Sequence, residues 1–272
     1  LAMWEALGKR RPVLMGLFLG LAGLARFTCL FALPFFVWLL WRGAPTTGPG
    51  RIAMSTQDRR SPSPSRSPLA MSTGLLLLGL AGPILLMLVY NHLRFGSPFE
   101  NGYALAVQSG LQPYLATARN TNGVFSLMHI PQNLWYMLFQ GPLPVPFPFP
   151  GQSAIRMEFP YAQPSTWGMG IFFTSPALLY AFRARLRDPL VQACLLGIFF
   201  VLLPLVTYFG IGWVQFGFRY ALDFMPLMAL LVARGLPTPM TNISRVLILA
   251  SVAINIWGAA FLIRWMTDLN PL

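Results

Sequence analysis

The sequence predicts an all-α fold: a polytopic bundle of transmembrane helices with a partly helical extracytoplasmic loop. Three observations carry this reading. Apolar runs at 73–90, 190–210 and 246–265 are close to the roughly 20 residues that cross a hydrocarbon core. Of the 272 residues, 56% are apolar and 10% charged, against about 25% charged in an ordinary soluble domain. A soluble fold would have to bury all three runs with too few polar residues left to coat its outside. Finally, the basic residues gather in short segments between apolar runs, the pattern of cytoplasmic loops in membrane proteins. The net charge of +12 therefore reads as topology. No nucleic-acid-binding signature accompanies it, and no nucleic-acid partner is expected.

The basic segments side the loops. Residues 42–66 hold Arg42, Arg51, Arg59, Arg60 and Arg66 against one acid, Asp58. Arg183, Arg185 and Arg187 form a second cluster, and Arg234 and Arg245 flank a third loop. All three are placed in the cytoplasm. Lys9, Arg10 and Arg11 join them if 12–41 is a helical hairpin turning near Arg26. A single helix over that stretch would be about 42 Å long, too long for a core of about 30 Å, and would leave Arg26 near the bilayer centre, where a charge is costly. The basic triplet ahead of 12–25 also mimics a secretory signal, but the apolar run resumes at Phe27.

The remaining elements follow from these sides. Residues 42–70 form a disordered cytoplasmic loop, rich in Ser, Pro and Arg. A helix spans 71–93, an extracytoplasmic interfacial loop covers 94–165, and helices at 166–182, 190–210, 219–234 and 245–265 complete about seven membrane segments. The outer loop is apolar and aromatic, with short interfacial helices expected over 123–139 and an extended proline run over 142–150. Gly16 and Gly20 have G-x-x-x-G spacing, read as close helix packing.

Polar residues on the outer side of such a bundle are costly and therefore informative. Three groups stand at that level: Arg26 at the hairpin tip; His92, Arg94, Glu100 and Tyr103 where a helix leaves the membrane; and Gln215, Arg219, Tyr220 and Asp223 where one enters it. Arginine suits a lipid phosphate, because guanidinium stays charged and grips oxygens in pairs. Arg219 and Asp223, spaced i, i+4, can instead pair with each other, and Arg94 and Glu100 can simply snorkel to the interface. His92 and His129 are candidate bases or hydrogen-bonded interfacial histidines. No metal-ligand spacing is present.

At these segments the chain resembles the GT-C membrane glycosyltransferases, in the branch of bacterial relatives of protein O-mannosyltransferases and aminoarabinose transferases (glycosyltransferase family 39-like). Four stretches carry the likeness: Gly16-Leu-Phe-Leu-Gly-Leu-Ala-Gly-Leu-Ala-Arg26; Tyr90-Asn-His-Leu-Arg-Phe-Gly-Ser-Pro98 with Gly102 and Tyr103; Thr174-Ser-Pro176; and Phe216-Gly-Phe-Arg-Tyr-Ala-Leu-Asp223 with Pro226. The resemblance implies sugar transfer from a polyprenyl-phosphate donor to an acceptor on the extracytoplasmic face of a bacterial inner membrane, in the cell envelope. Arg26, Arg94, Arg219 and Tyr220 would hold the lipid phosphate. His92, Glu100, Tyr103, His129, Gln215 and Asp223 are possible acceptor or donor contacts. The likeness begins midway through such an enzyme, so the catalytic acid is expected outside this chain, which would be inactive alone. A divalent metal cofactor stays open, as do the sugar, the acceptor and the oligomeric state. Two other classes compete: a transporter or flippase for a lipid-linked or anionic substrate, and a non-catalytic membrane protein.

Overall fold

The computed structural model describes residues 1–42, 66–100, 113–144, 162–212 and 214–269. It is mostly helical with a few short strands, and it divides into two compact units, each described by itself: Leu1–Leu111 with Leu186–Val201, and Gln112–Arg185 with Leu202–Leu272.

In the first unit, helix α1 (Ala2–Leu7) is tied down through Glu5. The Glu5 carboxylate is buried and accepts from Arg11 Nε at 3.0 Å and Nη2 at 2.9 Å. Helix α2 (Pro12–Ala25) starts on a proline, whose fixed φ and missing N–H suit a first helical turn. It stops where Arg26 turns extended, at φ −147°. A 3₁₀ turn (Phe27–Ala32) and helix α3 (Leu33–Arg42) follow, then the long helix α4 (Arg66–Phe95).

Glycines set how these helices meet. A Cβ on Gly16 would overlap the Leu76 carbonyl, and one on Gly79 would overlap the Val13 carbonyl. Gly20 sits against the Pro83 ring, 2.7 Å from where its own Cβ would stand. The contacts advance together along both helices, so α2 and α4 run parallel with their backbones touching. The end of α3, at Trp38 and Trp41, lines a cavity with Leu69 and Thr73 at the start of α4. Helix α3 therefore returns antiparallel to α2, and the chain reverses beyond Arg26. The small residues at 16 and 20 serve packing inside this chain.

The second unit opens with helix α5 (Pro113–Asn122). A 3₁₀ turn (Leu127–His129) is capped by the Ser126 hydroxyl, which accepts from the Met128 N–H at 3.2 Å. It leads into helix α6 (Ile130–Leu134) and a π turn (Trp135–Phe139). Strand β1 (Leu143–Pro144) pairs antiparallel with β2 (Ala162–Gln163). Strand β3 (Trp167–Met169), helix α7 (Ile171–Thr174) and a 3₁₀ helix (Pro176–Arg183) come next. Helix α8 (Pro189–Thr207) belongs to both units along its length. Strand β4 (Gln215–Gly217) pairs parallel with β3; a 3₁₀ turn (Arg219–Asp223), helix α9 (Met225–Gly235) and helix α10 (Asn242–Leu269) complete the described residues.

Close backbone contact organises this unit too. Gly235 lies where a Cβ would strike the Tyr180 carbonyl, seating α9 on the 176–183 segment. Phe216 packs on Gly258 and stands edge-on to Trp257 at 5.6 Å, holding β4 to α10. Asn255 Nδ2 donates to the Thr174 carbonyl at 2.8 Å, and the Ala177 N–H donates to Ser251 Oγ at 3.1 Å. These bonds satisfy main-chain groups that the broken 171–183 segment leaves outside helical pairing.

Three helices among the described residues are long and apolar enough to cross a membrane: Leu69–Phe95, Pro189–Thr207 and Asn242–Ile263, with mean hydropathies of 2.1, 2.4 and 2.3. Their lengths are about 40, 28 and 33 Å, which match or exceed a core of about 30 Å. Two expected spans take another form. The segment 166–182 is no single helix: Gly168 has φ +95° within β3, and the chain breaks again at Ser175 before Pro176. The segment 219–234 begins as a 3₁₀ turn, and its α-helix starts at Met225 because Pro226, lacking an N–H, fits a first turn rather than a helix interior. Its 11 residues rise only about 16 Å. Most of the 42–70 loop, the outer-loop residues 101–112 and most of the 142–150 proline run lie outside the described residues.

Candidate functional site

The residues singled out from the sequence fall into the two units. In the first, Arg26 is half-buried at the break after α2, and its carbonyl accepts from the Cys29 N–H at 2.9 Å. In the last turn of α4, Arg94 is exposed. Its Nη1 donates to the Tyr90 hydroxyl at 2.9 Å, and its guanidinium lies 5.0 Å from the Phe95 ring centre. Asn91 is buried, and its Nδ2 donates to the Pro98 carbonyl at 3.3 Å, closing the turn made at Gly96. His92 is exposed and Glu100 half-buried. Tyr103 lies outside the described residues.

In the second unit, Arg219 is exposed and its guanidinium stands 5.3 Å from the Tyr220 ring centre. Tyr220 is in turn edge-on to Phe218 at 5.7 Å and to Tyr208 at 6.2 Å. Arg219 and Asp223 do not form the ion pair that i, i+4 spacing allows; Arg219 engages no carboxylate among the described residues. The cause is the helix type. A 3₁₀ turn has 3.0 residues per turn, so position i+3 eclipses i and i+4 points elsewhere. Asp223 is buried.

Gln215 and His129 are held by the fold. Gln215 is buried, and its Nε2 donates to the carbonyls of Trp167 at 2.6 Å and Ile211 at 2.8 Å. Its Oε1 accepts from the Arg219 N–H at 3.3 Å. Both amide hydrogens are thus spent on main chain. His129 is 3% exposed, with Nε2 at 3.0 Å from the Gly123 carbonyl. Neither side chain stands open to a substrate.

Sequence reasoning did not single out Asn133. It is 1% exposed, and its Nδ2 reaches the carbonyls of His129 at 3.1 Å, Val206 at 2.9 Å and Tyr208 at 2.7 Å. It ties α6 to the last turn of α8 and to Tyr208 just beyond it, the ring against Tyr220. The signal was present as an amide inside an aromatic run, Asn133-Leu-Trp-Tyr-Met-Leu-Phe139, where a buried polar group must find partners. Asn133→Leu removes both amide donors from the Val206 and Tyr208 carbonyls and is expected to cost about 2–3 kcal/mol. Thermal unfolding in detergent reads this directly; an unchanged midpoint would remove Asn133 from the scaffold of the aromatic cluster.

The chemistry on hand is that of arginines laid on aromatic rings. Stacking holds the guanidinium plane and leaves its N–H edge directed outward, where it can pair with the oxygens of an anion. Among the described residues, no three His, Cys, Asp or Glu side chains gather as metal ligands. By the length and composition of three of its helices, the chain is a helical membrane protein. No family model, curated protein or solved structure matches it.

Proposed function

We propose that the chain is part of an integral membrane glycosyltransferase that takes its sugar from a polyprenyl-phosphate-linked donor on the extracytoplasmic face. The observation that carries this reading is Arg219: exposed, stacked on Tyr220, and bound to no carboxylate among the described residues. A fixed guanidinium with its N–H edge unused is a phosphate ligand in waiting. Arg94, over the Tyr90 and Phe95 rings, repeats the ring contact in the other unit, with one N–H already given to the Tyr90 hydroxyl. The motifs around Arg26, Arg94 and Arg219 supply the family reading, in which the acceptor's base lies outside this chain.

The test uses radiolabelled polyprenyl phosphate and its sugar-charged form, with the protein of the complete reading frame in nanodiscs. Arg219→Ala is expected to weaken polyprenyl-phosphate binding by about 10–100-fold, the loss of a hydrogen bond to a charged group at about 1.5–3 kcal/mol. Arg219→Lys should recover part of it, since an ammonium keeps the charge but loses the paired geometry. Unchanged binding in Arg219→Ala removes the phosphate assignment. Donor binding without sugar release to any acceptor, together with movement of the lipid between leaflets, would replace the transferase with a flippase.

A further inference from the structure

A second candidate site lies in the first unit, on residues that the proposed function does not use. Val37, Trp38 and Trp41 of α3, Leu69 and Thr73 of α4, and Leu196 of α8 line an open cavity of about 320 Å³. Its volume is at the lower end of the range of small-ligand sites. Its walls are almost wholly apolar, and they belong to a membrane protein, where the surrounding solvent is acyl chain. Next to two of the lining rings, Trp38 and Trp41, stands Arg42, the last residue of α3. The Arg42 guanidinium is 5.2 Å from the Trp38 ring centre and 5.0 Å from that of Trp41. Arg42 is exposed and makes no hydrogen bond or ion pair among the described residues. The indole Nε1 of Trp38 is buried and has no hydrogen-bond partner among the described residues.

The parts differ in chemistry in a way that selects an occupant. The groove fits a hydrocarbon chain. The stacked guanidinium fits an oxyanion, presented by an N–H edge that the two indoles hold in place. Tryptophan at this level is typical of the headgroup boundary, where one end of the ring is apolar and the other wet. The sequence from Arg42 to Arg66 carries five basic residues against one acid, a composition that favours anionic over zwitterionic lipid. We infer that this groove binds an anionic glycerophospholipid, with an acyl chain along Trp38, Leu69, Thr73 and Leu196 and the phosphate on Arg42. The inference does not depend on the glycosyltransferase reading, because none of its residues is assigned to donor binding.

The experiment uses the full chain in phosphatidylcholine bilayers holding a small fraction of dibrominated lipid, which quenches tryptophan on contact. Quenching at this site is the difference between the wild type and a Trp38→Phe/Trp41→Phe variant that keeps the ring packing. Dibrominated phosphatidylglycerol is expected to reach half-maximal quenching at about one-fifth the mole fraction that dibrominated phosphatidylcholine needs, the ratio for one basic side chain at an anionic surface. Arg42→Gln, a change at an exposed residue, should bring the two lipids together. Thr73→Phe fills the groove and should lower quenching by both. Equal quenching by the two lipids in the wild type overturns the inference, as does an unaltered phosphatidylglycerol preference in Arg42→Gln.

Discussion

Gly16→Leu and Gly79→Leu are each expected to abolish the folded state of the α2–α4 pair. In both cases the new side chain meets main chain, not a movable rotamer: the Leu76 carbonyl opposite Gly16 and the Val13 carbonyl opposite Gly79. Overpacking a core by a methylene or two costs about 1–3 kcal/mol because side chains can shift. Here two helix backbones must separate, so the loss should exceed about 3 kcal/mol, a large share of the stability of a whole domain. The helices also lose the close approach on which association inside a bilayer depends, since lipid provides no hydrophobic drive between them. The controls lie on the same helix. Gly74 and Gly82 face open space, with nothing within 4 Å of a Cβ, and leucine at either should leave the midpoint of thermal unfolding nearly unchanged. Equal behaviour of Gly79→Leu and Gly82→Leu, by unfolding midpoint and by elution of a monodisperse species in detergent, would show that the α2–α4 contact does not hold this unit together.

The long spans were legible because length and apolarity are local properties. The runs at 73–90, 190–210 and 246–265 lie within Leu69–Phe95, mostly within Pro189–Thr207, and within α10. The two failures share a cause: hydropathy registered the apolar side chains of 166–182 and 219–234 and missed the breakers inside them. Gly168, Gly170 and Pro176 interrupt the first, and Pro226 sets a helix start within the second. The candidate site was legible in part. Residue type and depth pointed to Arg94 and Arg219, and both stack on aromatic neighbours one to four positions away in sequence. The fate of Gln215, His129 and Asn133 was not legible. Asn133 and Gln215 have partners on distant segments, up to 75 and 48 residues away, and His129 is held by the Gly123 carbonyl across a turn six residues long. No local pattern encodes such pairings.

Gln215→Leu should be the most damaging single change in the second unit. The side chain fills a slot between two glycines with left-handed backbone, Gly168 at φ +95° and Gly212 at φ +93°. A Cβ on either would come within 3 Å of the carboxamide, at 2.9 Å for Gly168 and 2.7 Å for Gly212. Leucine has nearly the right volume but no donors. The Trp167 and Ile211 carbonyls would lose their side-chain partner, and the Arg219 N–H would lose its acceptor. At about 1–3 kcal/mol for each buried group left unpaired, the loss should reach about 3–5 kcal/mol. Gln215→Glu should fare little better at neutral pH, because a carboxylate would face two carbonyl oxygens. The consequence reaches function through Arg219, whose backbone is fixed by this same amide. A destabilised but folded Gln215→Leu sample should therefore bind polyprenyl phosphate less well even though Arg219 is present. If that variant unfolds at the wild-type midpoint, the carboxamide is not what holds β3 to β4. If it is destabilised yet binds lipid phosphate as the wild type does, Gln215 supports the fold without positioning Arg219.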